Sequence, residues 1–172
     1  MHAGNTVDVK VGAFIRQWVI TLNGSELIHV DKKMNLWAII KQHLDTLPSD
    51  APEITDRSEY ISIELLDSSG TLVYNLPSGR KMYMNSLYRY YIDDTGQAAI
   101  QRYLENQFRA HFRTYMTARF SDGKQEPIRH AIGSFLSDYL LPCDDIIMSR
   151  LSKDWYRHRQ KHSEKYPIPI IF

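Results

Sequence analysis

Hydrophobic positions change period near the middle of the chain. Val9-Lys10-Val11-Gly12-Ala13-Phe14-Ile15-Arg16-Gln17-Trp18-Val19-Ile20-Thr21-Leu22 is rich in β-branched and aromatic residues and stops at Asn23-Gly24. That dipeptide suits a two-residue hairpin turn, because both positions tolerate positive φ. The pattern predicts a hairpin with Glu26-Leu27-Ile28-His29-Val30 as the returning strand. Leu36, Ile39, Ile40, His43, Leu44 and Leu47 then recur at helical spacing, and Pro48 closes the predicted helix. After a polar loop from Pro52 to Ser58, Tyr60-Ile61-Ser62-Ile63-Glu64-Leu65-Leu66 alternates like a half-buried strand. A turn at Asp67-Ser68-Ser69-Gly70 leads into a second strand at Leu72-Val73-Tyr74.

From about Asp94 the period is helical. Thr95 is the expected N-cap of a long helix carrying Ile100, Leu104, Phe108, Phe112, Tyr115 and Met116 and reaching Phe120. Pro127 suits the first turn of the next helix, which runs through Ile132, Phe135, Leu136, Tyr139 and Leu140 until Pro142-Cys143 breaks it. The last helix opens on Asp144-Asp145, carries Ile147, Leu151 and Trp155 on one face, and becomes basic at Arg157, Arg159 and Lys161. Acid first and base last complement the helix dipole. The expected fold is α+β: a small N-terminal mixed α/β lobe with antiparallel hairpins over residues 1–92, then a C-terminal three-helix region over 93–172 with an extended apolar tail. A length of 172 residues suits one compact domain built from the two.

Charge changes the picture more than composition does. The formal net charge is +1, from 21 Lys+Arg and 20 Asp+Glu, which excludes a strongly basic histone-like or a strongly acidic protein. That value is a cancellation: residues 1–100 hold 9 Lys+Arg and 12 Asp+Glu, whereas residues 101–172 hold 12 and 8. Arg102, Arg109 and Arg113 should share a face of the long helix, and Arg150, Lys153, Arg157 and Lys161 a face of the last one. Two such stripes can track phosphates, DNA or RNA, and equally suit the solvated outer faces of a helical bundle. Trp155 and Tyr156 would pack or stack at the edge.

Residues 128–141 and 144–161 have the outline of a helix–turn–helix. Asp144 and Asp145 stand where a recognition helix would meet phosphates, so the half carrying Trp155, Tyr156 and Arg157 is the better contact surface. A second cluster, Arg80-Lys81-Met82-Tyr83-Met84-Asn85-Ser86-Leu87-Tyr88-Arg89-Tyr90-Tyr91, sets tyrosines beside arginines. It suits either base stacking or the junction of a sheet with a helix, the latter favoured.

Enzyme signatures are missing, and the expectation is a non-enzymatic protein without cofactor or metal. The one cysteine, Cys143, excludes an internal disulfide and any Cys-based metal cluster. His158 and His162 lie four apart with Asp154 one turn earlier, but the surrounding cationic run disfavours a dication. His111 and His130 read as packed or partly exposed helix residues, and His29 and His43 have no acidic or nucleophilic companion at a diagnostic spacing. The N-terminus lacks a basic segment followed by an apolar run, and no window approaches the roughly 20 apolar residues of a membrane span. No membrane contact and a cytoplasmic location are expected. The tail Pro167-Ile168-Pro169-Ile170-Ile171-Phe172 should dock, on its own domain or on a second copy as a homo-oligomer contact.

At Ile132-Gly133-Ser134-Phe135-Leu136-Ser137-Asp138-Tyr139-Leu140, Asp144-Asp145-Ile146 and Leu151-Ser152-Lys153-Asp154-Trp155-Tyr156-Arg157-His158-Arg159, the chain resembles the C-terminal segments of small uncharacterised bacterial phage and mobile-element proteins, over about residues 130–159. The resemblance implies a nucleic-acid-linked context and carries over no catalytic or binding residue. The leading expectation is a nucleic-acid-associated accessory protein contacting its partner through the basic faces of the C-terminal helices. The alternative is a structural or protein-interaction module that self-associates through its tail.

Overall fold

Alternation of buried and outward positions sets the first sheet. The computed structural model describes residues 6–30, 33–47, 53–65, 73–75, 81–83, 90–121 and 126–161, and its fold is α+β, a small N-terminal sheet with helices followed by three C-terminal helices. Strand β1 (Thr6–Lys10) buries Val7 and Val9. In the antiparallel pairing with the later strand Tyr60–Leu65 these face Ile63 and Ile61, so four branched apolar side chains share one face. The other face is polar. There Arg57 donates to both Asp8 and Ser62, the second at 2.6 Å, and the Ser62 hydroxyl donates to Asp8 at 2.9 Å. A one-residue slip would exchange the two sets, so register is fixed from both faces.

The hairpin expected over Val9–Val30 does not form. Residues Ala13–Asn23 are helix α1, which buries Ile15, Trp18 and Val19. Gly12, at φ 78°, turns the chain out of β1, and Gly24, at φ 71°, closes α1 with its N–H on the Ile20 carbonyl at 2.8 Å. Asn-Gly is therefore a helix stop here. Both uses require positive φ, so the dipeptide alone does not separate them. The spacing of the three buried residues does, and burial overrides the β-propensity of Val, Ile and Trp. Strand β2 (Leu27–Val30) then runs parallel to the Tyr60–Leu65 strand, on the edge opposite β1.

Helix α2 (Asn35–His43) buries Leu36, Trp37 and Ile40 and stops short of the expected Leu47. Leu44–Thr46 leaves as strand β3, with Tyr60–Leu65 following as β4. The strand pair expected between 60–66 and 72–74 is absent, because β4 is already paired on both edges. Strand β5 (Val73–Asn75) pairs instead with β6 (Lys81–Tyr83), and β7 (Tyr90–Ile92) pairs with β3. Pro48 and the turn at 67–70 lie outside the described residues, as do residues 84–89 of the tyrosine cluster, His162 and the tail 167–172.

Helix α3 (Asp94–Ser121) is capped by Asp93 rather than Thr95: the Gly96 N–H donates to its carboxylate at 2.6 Å and the Gln97 N–H to its carbonyl at 2.8 Å. The cap hydrogen bond from Gly96 holds the Asp93 carboxyl below its ordinary range, with His43 adding to the effect. The sequence changes period near residue 93, but the compact units divide later, into Met1–Asn106 and Gln107–Phe172. In the first unit Ile100 and Leu104 are buried, and Gln97 accepts the Lys10 N–H at 2.8 Å.

The second unit holds the remainder of α3 with α4 (Ile128–Asp138) and α5 (Asp145–Lys161). Its core is Phe108, Phe112 and Met116 from α3, Ala131, Ile132, Phe135 and Leu136 from α4, and Met148, Leu151 and Trp155 from α5. Phe135 is fully buried, with the rings of Phe108, His111, Phe112, Tyr115 and Tyr139 centred 4.9 to 6.0 Å from it. Helix α4 ends earlier than the expected residue 141. Leu140, at φ 53°, carries the chain off while the Leu141 N–H returns to the Leu136 carbonyl at 2.8 Å, a Schellman stop made with leucine in place of glycine.

Gly96 has no room for a side chain, since a Cβ there would overlap the side chains of His43 and Ile92. Gly96→Ala is expected to destabilise the first unit by about 1–3 kcal/mol through overpacking. Urea unfolding followed by far-ultraviolet circular dichroism checks this, and an unchanged midpoint would show that α3 shifts freely against α2.

Candidate functional site

On α5, Met148, Leu151 and Trp155 point into the core, which turns Lys153, Tyr156 and Arg157, three and four residues apart, to the outside. The first turn of α4 brings Ile128 and Arg129 beside them. With Ser152 these residues line an open groove of about 390 Å³. Arg129, Lys153, Tyr156 and Arg157 are exposed, whereas Ile128 and Ser152 are half-buried. The lining thus offers three cations, an aromatic ring and an apolar wall, and among the described residues no carboxylate.

A polar chain fixes the start of α4 and with it Arg129. Glu126 accepts both a close hydrogen bond and a 3.1 Å hydrogen bond from the Arg119 guanidinium, and lies 3.0 Å from His130 Nδ1. These contacts, Arg119 first and His130 second, hold its carboxyl down to about 2. Arg119 also donates to the Tyr115 hydroxyl at 2.9 Å, which donates in turn to Asp138 at 2.9 Å. Partial burial, then Asp138, raises the Tyr115 pKa, so the hydroxyl keeps its proton. The chain His130–Glu126–Arg119–Tyr115–Asp138 therefore reaches α4 both ahead of its first turn and at its last residue.

Of the eight candidate contact residues, Lys153, Tyr156 and Arg157 come together in this groove. Arg113 does not join them: its guanidinium is forked onto Asp154, at 2.9 and 2.6 Å. Its pKa is raised by that bond. Trp155 is only 2% exposed, packed between Phe120 and His158, so it is core and leaves Tyr156 as the accessible ring. Arg102 and Arg109 are exposed on α3, and Arg150 is exposed on α5 outside the groove lining. The face expected to unite the α3 arginines breaks up for a geometric reason. Its buried stripe runs 100, 104, 108, 112, 116, and each four-residue step advances about 40° around the axis. By that drift Arg102 lies opposite the stripe, whereas Arg109 and Arg113 both lie about a quarter turn from it, and Asp154 takes up Arg113 alone of the three.

Arg129 escapes sequence reasoning because it stands alone on α4, in no stripe, and acquires its neighbours only when α4 packs on α5. The N-terminus of α5 is acidic, as expected. Asp144 caps it, accepting the Ile147 N–H at 2.8 Å, and Asp145 pairs with Arg129 at 3.2 Å. His43 and His29 do find acidic partners, Asp93 at 3.0 Å and Glu64 across the β2–β4 pair, supplied from remote parts of the chain. His111 is half-buried with its Nε2 3.0 Å from the Tyr139 hydroxyl, and burial lowers its pKa. Among the described residues, no group of three or more His, Cys, Asp or Glu side chains is placed to hold a metal ion, and no helix is long and apolar enough to cross a membrane.

The chain matches no family model, and no curated protein and no solved structure is similar to it. The chemistry of the groove itself carries the functional argument.

Glu126 gives the second unit a defined acid response. A carboxyl held at about 2 in the folded chain, against an ordinary 4.5, stabilises the fold fully above 4.5, and that contribution is lost as the pH falls from there through about 2. Wild type should therefore exceed Glu126→Gln in urea stability at neutral pH, with the gap closing across this window. A gap of constant size down to the lower pH would show that the charge of Glu126 is not what stabilises α4.

Proposed function

We propose that the protein is a non-enzymatic, nucleic-acid-associated accessory protein that holds phosphates in the groove between α4 and α5. The observation that carries this is the convergence of Arg129, Lys153 and Arg157 on one open cleft that no described carboxylate lines. Arg129 is shared with Asp145 at 3.2 Å, Lys153 and Arg157 repel one another, and an anion relieves that repulsion. Each phosphate they neutralise releases condensed counterions and adds affinity irrespective of sequence. Arg102, Arg109 and Arg150 lie outside this groove and would add a general attraction only. Helix α4 begins at Ile128 with no side-chain cap and no acid in its first turn, so the positive end of its dipole adds to the same potential. The exposed free thiol of Cys143 suits a reducing compartment, and we place the protein in the cytoplasm.

Binding to a labelled oligonucleotide, followed by fluorescence anisotropy, should weaken as salt rises, with a slope of log K on log salt of roughly −2 to −3 for three phosphates. Lys153→Ala with Arg157→Ala should bind markedly less and cut the slope by roughly 1.5, whereas Arg102→Ala should leave it close to wild type. Full binding by the double variant would sink the proposal.

Asp145 tempers the groove. Its pair with Arg129 is 3.2 Å long, with both side chains more than 70% exposed, and exposed pairs of this kind are worth at most about 1 kcal/mol. A phosphate can displace it. Asp145→Asn is expected to tighten oligonucleotide binding at low salt by about two- to fivefold, and the gain should vanish in an Arg129→Ala background. A gain that persists there would mean that Asp145 acts through the general field and not through Arg129.

A further inference from the structure

We infer that the groove accepts single-stranded rather than duplex nucleic acid, with Tyr156 as the platform on which one unpaired base stacks. This deepens the phosphate-binding function proposed above and rests on it. Tyr156 is 59% exposed, a large ring held in water at the wall of a cationic groove. Its neighbour Trp155 is packed into the core, so α5 presents one aromatic inward and the next outward. Lys153 lies three residues before Tyr156 and Arg157 directly after it, which places cations beside the ring where the phosphates flanking a stacked base would run. Base on ring and phosphate on cation is the combination by which single strands are bound without regard to sequence.

Duplex binding makes different demands, and α5 meets them poorly. In a duplex the base faces are covered by their neighbours, so Tyr156 would gain nothing from its exposure. Entry of a helix into the major groove normally leads with the N-terminal end, and here that end carries Asp144 and Asp145, which would face the phosphates. The α5 cations of the groove, Lys153 and Arg157, sit at the middle of the helix and beyond, around a cleft of about 390 Å³, near the small end of ligand-sized cavities. A cleft of that size admits one or a few unpaired nucleotides.

The test uses the full chain at low salt with three probes of equal length: a dT oligomer, a duplex, and an abasic oligomer that keeps the phosphates and lacks the bases. The dT oligomer should bind tightest. Tyr156→Ala should weaken it by about tenfold, within the span expected for losing one stacked base, and Tyr156→Phe should restore it. The abasic oligomer should bind wild type about as weakly as dT binds Tyr156→Ala. Circular dichroism of the variants should match wild type, since the ring is exposed. Equal or tighter binding of the duplex, or an unchanged Tyr156→Ala while Lys153→Ala with Arg157→Ala still loses binding, would overturn the single-strand inference and leave the phosphate surface standing. No binding of any probe would overturn both.

Discussion

The groove depends on the packing of rings around Phe135. That side chain is fully buried among five other aromatic or imidazole rings, four on α3 and one at the end of α4, in mostly edge-to-face contact. Each such pair contributes about 0.5–1.5 kcal/mol beyond the burial itself, and emptying such a site costs about 3–5 kcal/mol. A domain's whole margin is only about 5–15 kcal/mol. The exposed ion pairs of the same unit are worth about 1 kcal/mol or less. Packing therefore decides where α4 sits, and the polar chain from His130 to Asp138 fixes its ends. Ile128 and Arg129 are carried into place as a consequence.

Helix α3 is the element most constrained by this arrangement. Its apolar residues keep a four-residue step, and the buried face consequently walks around the helix. Arg113 arrives next to the core and needs a partner there, which Asp154 supplies with a two-pronged hydrogen bond. The pair ties α3 to α5 and removes one cation from the solvent-facing set. A three-arginine stripe on paper thus becomes two exposed charges and one structural fork.

Much of the fold was legible because buried and outward residues differ in chemistry. The limits of α3 and α5 follow from apolar period and terminal charge, and the strand at Tyr60–Leu65 follows from its alternation. The hairpin at Asn23-Gly24 failed because a left-handed glycine serves a helix stop and a tight turn equally well, and the β-branched content of α1 favoured the wrong one. The stop of α2 at His43 was hidden because Leu44 continues the helical spacing while its backbone pairs with Ile92, a partner far along the chain. At the candidate site, Lys153, Tyr156 and Arg157 were legible as neighbours on one helix. Trp155 sat in the same run, and its place four residues after Leu151 on the buried face separates its fate from that of Tyr156. Arg129 carried no local signal, since its relation to the groove is made by tertiary contact alone.

The order of charge along α5 explains why the groove needs two helices. Asp145 in the first turn and His158, Arg159 and Lys161 in the last stabilise α5 against its own dipole. The same order leaves the basic end of α5 at the negative pole of its backbone, where the dipole opposes an anion. That effect falls off within the last turn, and Lys153 and Arg157 stand at or before its edge. The first turn of α4 supplies the opposite pole, together with Arg129. Side-chain charge from α5 and side-chain charge with backbone polarity from α4 then act in the same direction on whatever enters between them. An anion held by α5 alone would meet cations backed by an unfavourable dipole, and one held by α4 alone would meet a single arginine already shared with Asp145.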